Sequence, residues 1–275
     1  MKKQFQNLRI PATMIASAIV LFTSCKKDDT AGMQASNGHG GPIGVNAIVK
    51  SASGDSSSIV TEISGFRLLA GDPLNTTPNV TGGRREINWD GGTPAITNNN
   101  NFPFDFFGAT DPALPDGRKR GLIYLNTGTG FRIDSTKFAE IDASYATQFE
   151  PFSKKKLFST IGSNVTEIIF KVPGTNTEAF VKGFGAVFTD VDEGNSTSIE
   201  YFSGSKSLGV FKVHVRTYDG SFSFLGVNFP DEKVTKVRIT AGNGILAAGV
   251  KDISNGGTKD LVVMDDFIYD EPKAL

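Results

Sequence analysis

Val210-Phe211-Lys212-Val213-His214-Val215-Arg216-Thr217-Tyr218 alternates side chains, with Phe211, Val213, Val215 and Thr217 on one parity and Lys212, His214, Arg216 and Tyr218 on the other. Successive side chains of a strand point to opposite faces, so the stretch predicts a strand with one buried and one wet face. Thr235 to Thr240 repeats the pattern, setting Thr235, Val237 and Ile239 against Lys236, Arg238 and Thr240. Upstream, Ile199 to Phe202 and Leu208 to Val215 flank SGSKS, where Gly204 can supply the positive φ of a tight hairpin. Leu261 to Tyr269 is apolar on both parities apart from Asp265 and Asp266, which predicts a central strand covered on both sides.

From about Ile59 onward such runs are separated by Gly, Asn, Asp and Pro, and no helical apolar period is sustained beyond about two turns. The 22 Phe, against one Trp and five Tyr, suit a thick core, because Phe adds apolar area without a polar atom to satisfy. The expectation is one all-β domain over residues 59–275, an antiparallel β-sandwich with jelly-roll-like topology.

The chain begins differently. Lys2, Lys3 and Arg9 precede a mostly apolar run from Ile10 to Phe22, the charged and apolar parts of an export signal. Spanning a bilayer takes about 20 apolar residues, which this run does not reach. Phe22, Thr23, Ser24 and Cys25 resemble a lipobox, in which the cysteine is lipidated and becomes the mature N-terminus; Phe22 departs from the usual Leu. The resemblance implies that residues 1–24 are a removable signal peptide and that Cys25 carries the lipid. Lys26, Lys27, Asp28 and Asp29 resemble the signal that sends lipoproteins of Bacteroidota to the outer face of the outer membrane. Residues 25–58, with NGHGGPIG at Asn37 to Gly44, read as a flexible tether.

Without residues 1–24 the chain holds 25 basic and 29 acidic residues, a formal charge of −4. That balance excludes the basic face on which nucleic-acid binding depends. Cys25 is the only cysteine, so the fold stands on its core without a disulfide.

Six ordered segments add a resemblance: GRREINWDG (83–91), RGLIYLNTGTGF (120–131), LFSTIGSNVTEIIFKVPGT (157–175), GFGAVFTDVD (183–192), SFLGVNF (223–229) and VVMDDFIYDEP (262–272). Together they resemble a family of uncharacterised secreted bacterial β-sandwich proteins, some of which end in a sorting tail. The resemblance implies a shared extracellular β domain and carries no activity with it. Family members are often shorter where this chain has Asn98 to Lys119, so that loop is the expected place for an individual function. No sorting tail follows Pro272, in keeping with an anchor at the other end.

Two histidines, His39 in the tether and His214 on a polar strand face, leave no Ser/His/Asp triad or histidine zinc site to assemble. G-x-S-x-G and phosphate-cradling glycine motifs are also missing. Carboxylates remain. Asp190, Asp192 and Glu193 precede a glycine turn and could aim oxygens at one calcium ion, although Tyr201 stands where an EF-hand needs Glu; a plain polar turn is the alternative. Asp265 and Asp266, adjacent in an apolar strand, should point to opposite faces. If the first and last strands pair, Glu86, Asn88 or Asp90 could share a structural calcium with one of them. Alternatively backbone N–H groups, Arg84, Arg85 or Arg238 satisfy each aspartate.

Trp89, sharing a face with Ile87, reads as core, and the aromatic run Phe102 to Phe107 reads as folding inward. Arg118, Lys119 and Arg120 read as a solvated turn. Two functions fit these residues. The first is a lipid-anchored, surface-displayed, noncatalytic sandwich that binds an extracellular glycan or protein ligand or serves the envelope structurally. The second is a secreted polysaccharide hydrolase using paired carboxylates.

Overall fold

The computed structural model describes residues 44–125 and 127–275. The expected signal peptide, Cys25, the Lys26 to Asp29 signal, His39 and the tether as far as residue 43 lie outside the described residues.

In chain order the elements are β1 (Ile48–Gly54), helix α1 (Ser56–Ala70), β2 (Arg84–Ile87), β3 (Leu122–Leu125), β4 (Gly130–Asp134) and β5 (Leu157–Ile161). Next come β6 (Val165–Lys171), β7 (Glu178–Phe180), β8 (Gly183–Thr189), β9 (Ser198–Ser203) and β10 (Lys206–Lys212). The last four are β11 (Phe222–Asn228), β12 (Lys236–Thr240), β13 (Val263–Asp270) and β14 (Lys273–Ala274). They form two seven-stranded sheets, one ordered β1-β11-β8-β13-β5-β4 with β2 also on β13, the other β10-β9-β12-β6-β7-β14 with β3 also on β6. Each strand pair is antiparallel. Side chains from both sheets, among them Trp89, Phe158, Phe184, Tyr201, Ile239 and Phe267, close one core between them. The fold is an all-β sandwich, as the alternation predicts.

The β9–β10 hairpin turns at Gly204, whose φ is +59°, the left-handed value a short turn asks of glycine. β13 is central, with β8 along one edge and β5 and β2 along the other. Both its faces are covered. Met264, Phe267 and Tyr269 enter the core between the sheets, while Ile268 lies under α1 and Val263 under the segment carrying Phe138, Tyr145 and Phe149.

Four sequence expectations need correction. First, β1 and the first residues of α1 lie within the stretch read as tether, and Val45 and Ala47 ahead of β1 already pack against the core. Second, α1 is a four-turn helix: Asp55 caps it by accepting from Ser58 N at 2.7 Å, and it buries Ile59, Ile63, Phe66 and Ala70 against the outer face of the first sheet. Third, the strand expected over 210–218 stops at Lys212. Val215 is 39 % exposed and Arg216 turns inward, because β10 has left its neighbour β9 by then.

Fourth, Asp265 and Asp266 do not face opposite ways. Met264 pairs with Phe188 and Phe267 with Ala186, so β13 holds one residue more than β8 across this interval. Such a bulge puts both aspartates between inward-facing Met264 and Phe267, on the outer side. Among the described residues no helix is long and apolar enough to cross a membrane.

Candidate functional site

β2 runs into a turn whose geometry is set by hydrogen bonds. Gly92 N donates to Trp89 O at 3.0 Å, and Asp90 accepts from Lys155 N and Lys156 N at 3.1 Å each. The turn drives Trp89 into the core, 2 % exposed, where its ring stacks on Phe158 with centroids 4.2 Å apart. Trp89 Nε1 is buried without a hydrogen-bond partner among the described residues.

Beside it, the aromatic run and the basic run are stitched together. Ala109 N donates to Arg118 O at 3.1 Å and Arg120 N to Phe107 O at 2.7 Å, with Gly108 and Lys119 bridging antiparallel. Gly108 lets the Ile123 side chain pack closely here, since a Cβ would sit 2.0 Å from Ile123 Cδ1 and push it aside. The pairing brings the Arg118 guanidinium over Phe106 at 4.3 Å and that of Arg120 over Phe107 at 5.5 Å. Phe102 and Phe107 fold inward as expected, whereas Phe104 is exposed. The basic run is not a solvated turn: Lys119 is buried, and Arg120 donates to Gly117 O and Glu86 O.

Trp89, Phe102, Phe106, Phe107, Arg118 and Arg120 together line a half-enclosed pocket of about 290 Å³, which Gly91 and Gly117 also border. This is close to the smallest small-molecule sites, at about 300 Å³. No Asp or Glu is among its lining residues. The segment 98–119 supplies much of the wall. Both runs stand out in the sequence but their meeting does not, because the turn that folds one onto the other has no periodicity.

The predicted acids separate into two groups. β2 and β13 do pair, with Glu86 opposite Ile268. Glu86, however, is held by Arg67 at 2.9 and 2.7 Å and by Arg84 at 2.7 Å, so its charge is already matched. Asn88 presents its backbone oxygen to Ser153 Oγ at 3.2 Å. Asp265 accepts from Phe152 N, Ser153 N and Ser153 Oγ at 2.7, 3.0 and 2.8 Å. Glu86, Asp265 and Asp266 are not among the carboxylates whose oxygens gather within 4.8 Å in the described residues, and two backbone N–H groups and the Ser153 hydroxyl satisfy Asp265. Burial, and for Asp265 also the charge of Asp266, raises both acids above the ordinary carboxylate range.

Asp190 and Asp192 do come together, and their third partner is Asp252 rather than Glu193, whose carboxylate accepts from Asn243 Nδ2 at 2.6 Å. One oxygen from each of the three lies within 4.8 Å of the others. Tyr201 is remote in role, its hydroxyl donating to Phe184 O at 2.8 Å inside the core. Arg216 pairs with both Asp190 and Asp192, and Gln148 donates to Asp190. Asp252 accepts from Ser254 N and Leu261 N at 2.7 Å each. Burial pushes Asp190 up to about 8 against the pull of Arg216, and burial together with Asp252 raises Asp192. Asp192 Oδ2 is buried with no hydrogen-bond donor among the described residues.

Compared with known proteins, the chain matches no protein-family model, no curated protein and no solved structure.

Proposed function

We propose that the chain is a lipid-anchored binding protein of the outer cell surface, held by Cys25, whose sandwich offers the aromatic and arginine pocket to an extracellular ligand. The ligand is of one-ring size, the sugar ring of a glycan included. The pocket carries this reading: aromatic walls and a few polar groups in a half-enclosed cavity are the usual make-up of a small-molecule site. A rigid sandwich also suits presentation of loops to solvent. The anchor rests on the lipobox-like Phe22 to Cys25.

The test uses cell membranes carrying the full chain, screened against glycan and peptidoglycan fragments. Gly91 borders the pocket, and a Cβ there meets nothing within 4 Å. Gly91→Leu should abolish binding at unchanged melting temperature, and Cys25→Ala should move protein and binding together into the soluble fraction. No bound fragment, or binding unchanged by Gly91→Leu, would remove the pocket; a Cys25→Ala protein still on the membrane would remove the anchor.

A second reading concerns calcium at Asp190, Asp192 and Asp252. It is favoured by the unpartnered Asp192 Oδ2 and by an all-oxygen donor set, which suits a hard cation. Arg216 would then bridge two of the carboxylates from outside. Bound calcium should raise the melting temperature by several degrees over protein in chelator, following mass action. Identical melting with excess calcium and after chelation refutes it, leaving Arg216 as the compensating cation.

A further inference from the structure

The arginines of the fold divide sharply. Arg67, Arg84, Arg85, Arg132, Arg216 and Arg238 each pair with an Asp or Glu. Among the described residues, only Arg118 and Arg120 have no carboxylate within ion-pair distance, and both line the pocket. Arg118 spends Nε on Phe106 O at 3.3 Å, and its two Nη groups have no acceptor among the described residues. Arg120 spends Nε and Nη1 on backbone oxygens, leaving Nη2. Burial lowers the Arg120 guanidinium from its ordinary value, against the opposing pull of Tyr269, Tyr124 and Glu86, and Arg85 adds to the lowering. Two half-buried cations beside apolar rings, with Nη groups left open, favour an anion as their partner.

Taking the pocket as the binding site proposed above, we propose that its ligand is a single ring carrying one carboxylate. The ring lies among Trp89, Phe102, Phe106 and Phe107, and the acid meets the open Nη groups of Arg118 and Arg120. Guanidinium matches carboxylate with paired, charge-assisted hydrogen bonds, which selects acid over alcohol. The cavity, at about 290 Å³, holds one ring rather than a chain. The acid-bearing ring has two sources, a free aromatic acid or the terminal uronic acid of a glycan.

Trp89 is the only tryptophan of the chain, so its emission reports on this pocket alone. The purified full chain is titrated with benzoate and glucuronate, each beside its neutral counterpart, benzyl alcohol and glucose. At least one acid should bind about ten- to hundredfold tighter than its counterpart, the range of a charged hydrogen bond. Which acid does so names the source. Arg118→Gln, which keeps a stem over Phe106, should reduce that ratio to near unity while leaving the melting temperature in place. Neutral rings binding as tightly as the acids, with Gly91→Leu blocking all of them, would overturn the acid and keep the pocket. No emission change with any probe would count against the acid, and if the fragment screen is also blank, the pocket falls with it.

Discussion

Arg85→Met should cost the domain about 3–5 kcal/mol of stability, the usual penalty for leaving one partner of a buried ion pair alone. Arg85 is 0 % exposed and the Glu271 side chain 2 % exposed, and the pair is bidentate, Nε to Oε2 and Nη2 to Oε1 at 2.7 Å each. The pair ties β2, the loop before it and the end of β13 into one unit. Arg85 Nη2 also reaches Thr77 O at 2.9 Å, and Asn75 Nδ2 donates to Glu271 at 2.8 Å. With methionine at 85, the carboxylate keeps only the Asn75 side chain from this set, and water cannot replace the rest. Adding Glu271→Leu removes the stranded charge, so the double variant should recover most of the loss, ending within about 1–2 kcal/mol of the parent. Urea denaturation measures all three proteins. A double variant as unstable as Arg85→Met alone would show that packing of the arginine stem, not the stranded carboxylate, sets the cost.

The features legible in the sequence and those that are not differ in physical kind. Alternation is a property of one segment, so β12, the Gly204 hairpin and the doubly covered β13 were all legible from their own residues. The bulge at Asp265 and Asp266 was not, because it is a difference of one residue between two strands and leaves no mark on either. Asp252 lies sixty positions from Asp192 and caps its own turn, so nothing local marks it as a partner. Arg216 has the right parity for solvent and turns inward only because its strand has ended. β1 is illegible for another reason. With Lys50, Ser51 and Ser53 it is a polar edge strand, which needs little apolar surface once α1 lies against it.

α1 itself was hidden by its flanks, since Ser56 to Ser58, Thr61, Glu62 and Gly65 dilute a spacing of Ile59, Ile63, Phe66 and Ala70 that is nevertheless helical. The sheet is built to receive it. A Cβ on Gly226 would lie 2.7 Å from the Phe66 ring and one on Gly185 would lie 3.0 Å away, so two glycines in neighbouring strands leave a seat for one phenyl group. Phe66 fills that seat completely and meets Phe224 edge-on at 5.9 Å. Phe66→Ala should therefore cost about 3–5 kcal/mol, because it removes a wholly buried aromatic ring and the strand backbone cannot collapse into the space. Gly226→Ala alone should cost about 1–3 kcal/mol by overpacking against the ring. The two changes must then be coupled, since the new methyl group enters the space that the ring has vacated. In a double-mutant cycle read by denaturation, Gly226→Ala should be nearly neutral in the Phe66→Ala background, a coupling of about 1–3 kcal/mol. Additive effects would mean that the glycines serve the strand and not the ring. The helix would then rest on the sheet without a shaped contact, and the apolar residues facing it on β8, β11 and β13 would need another reason.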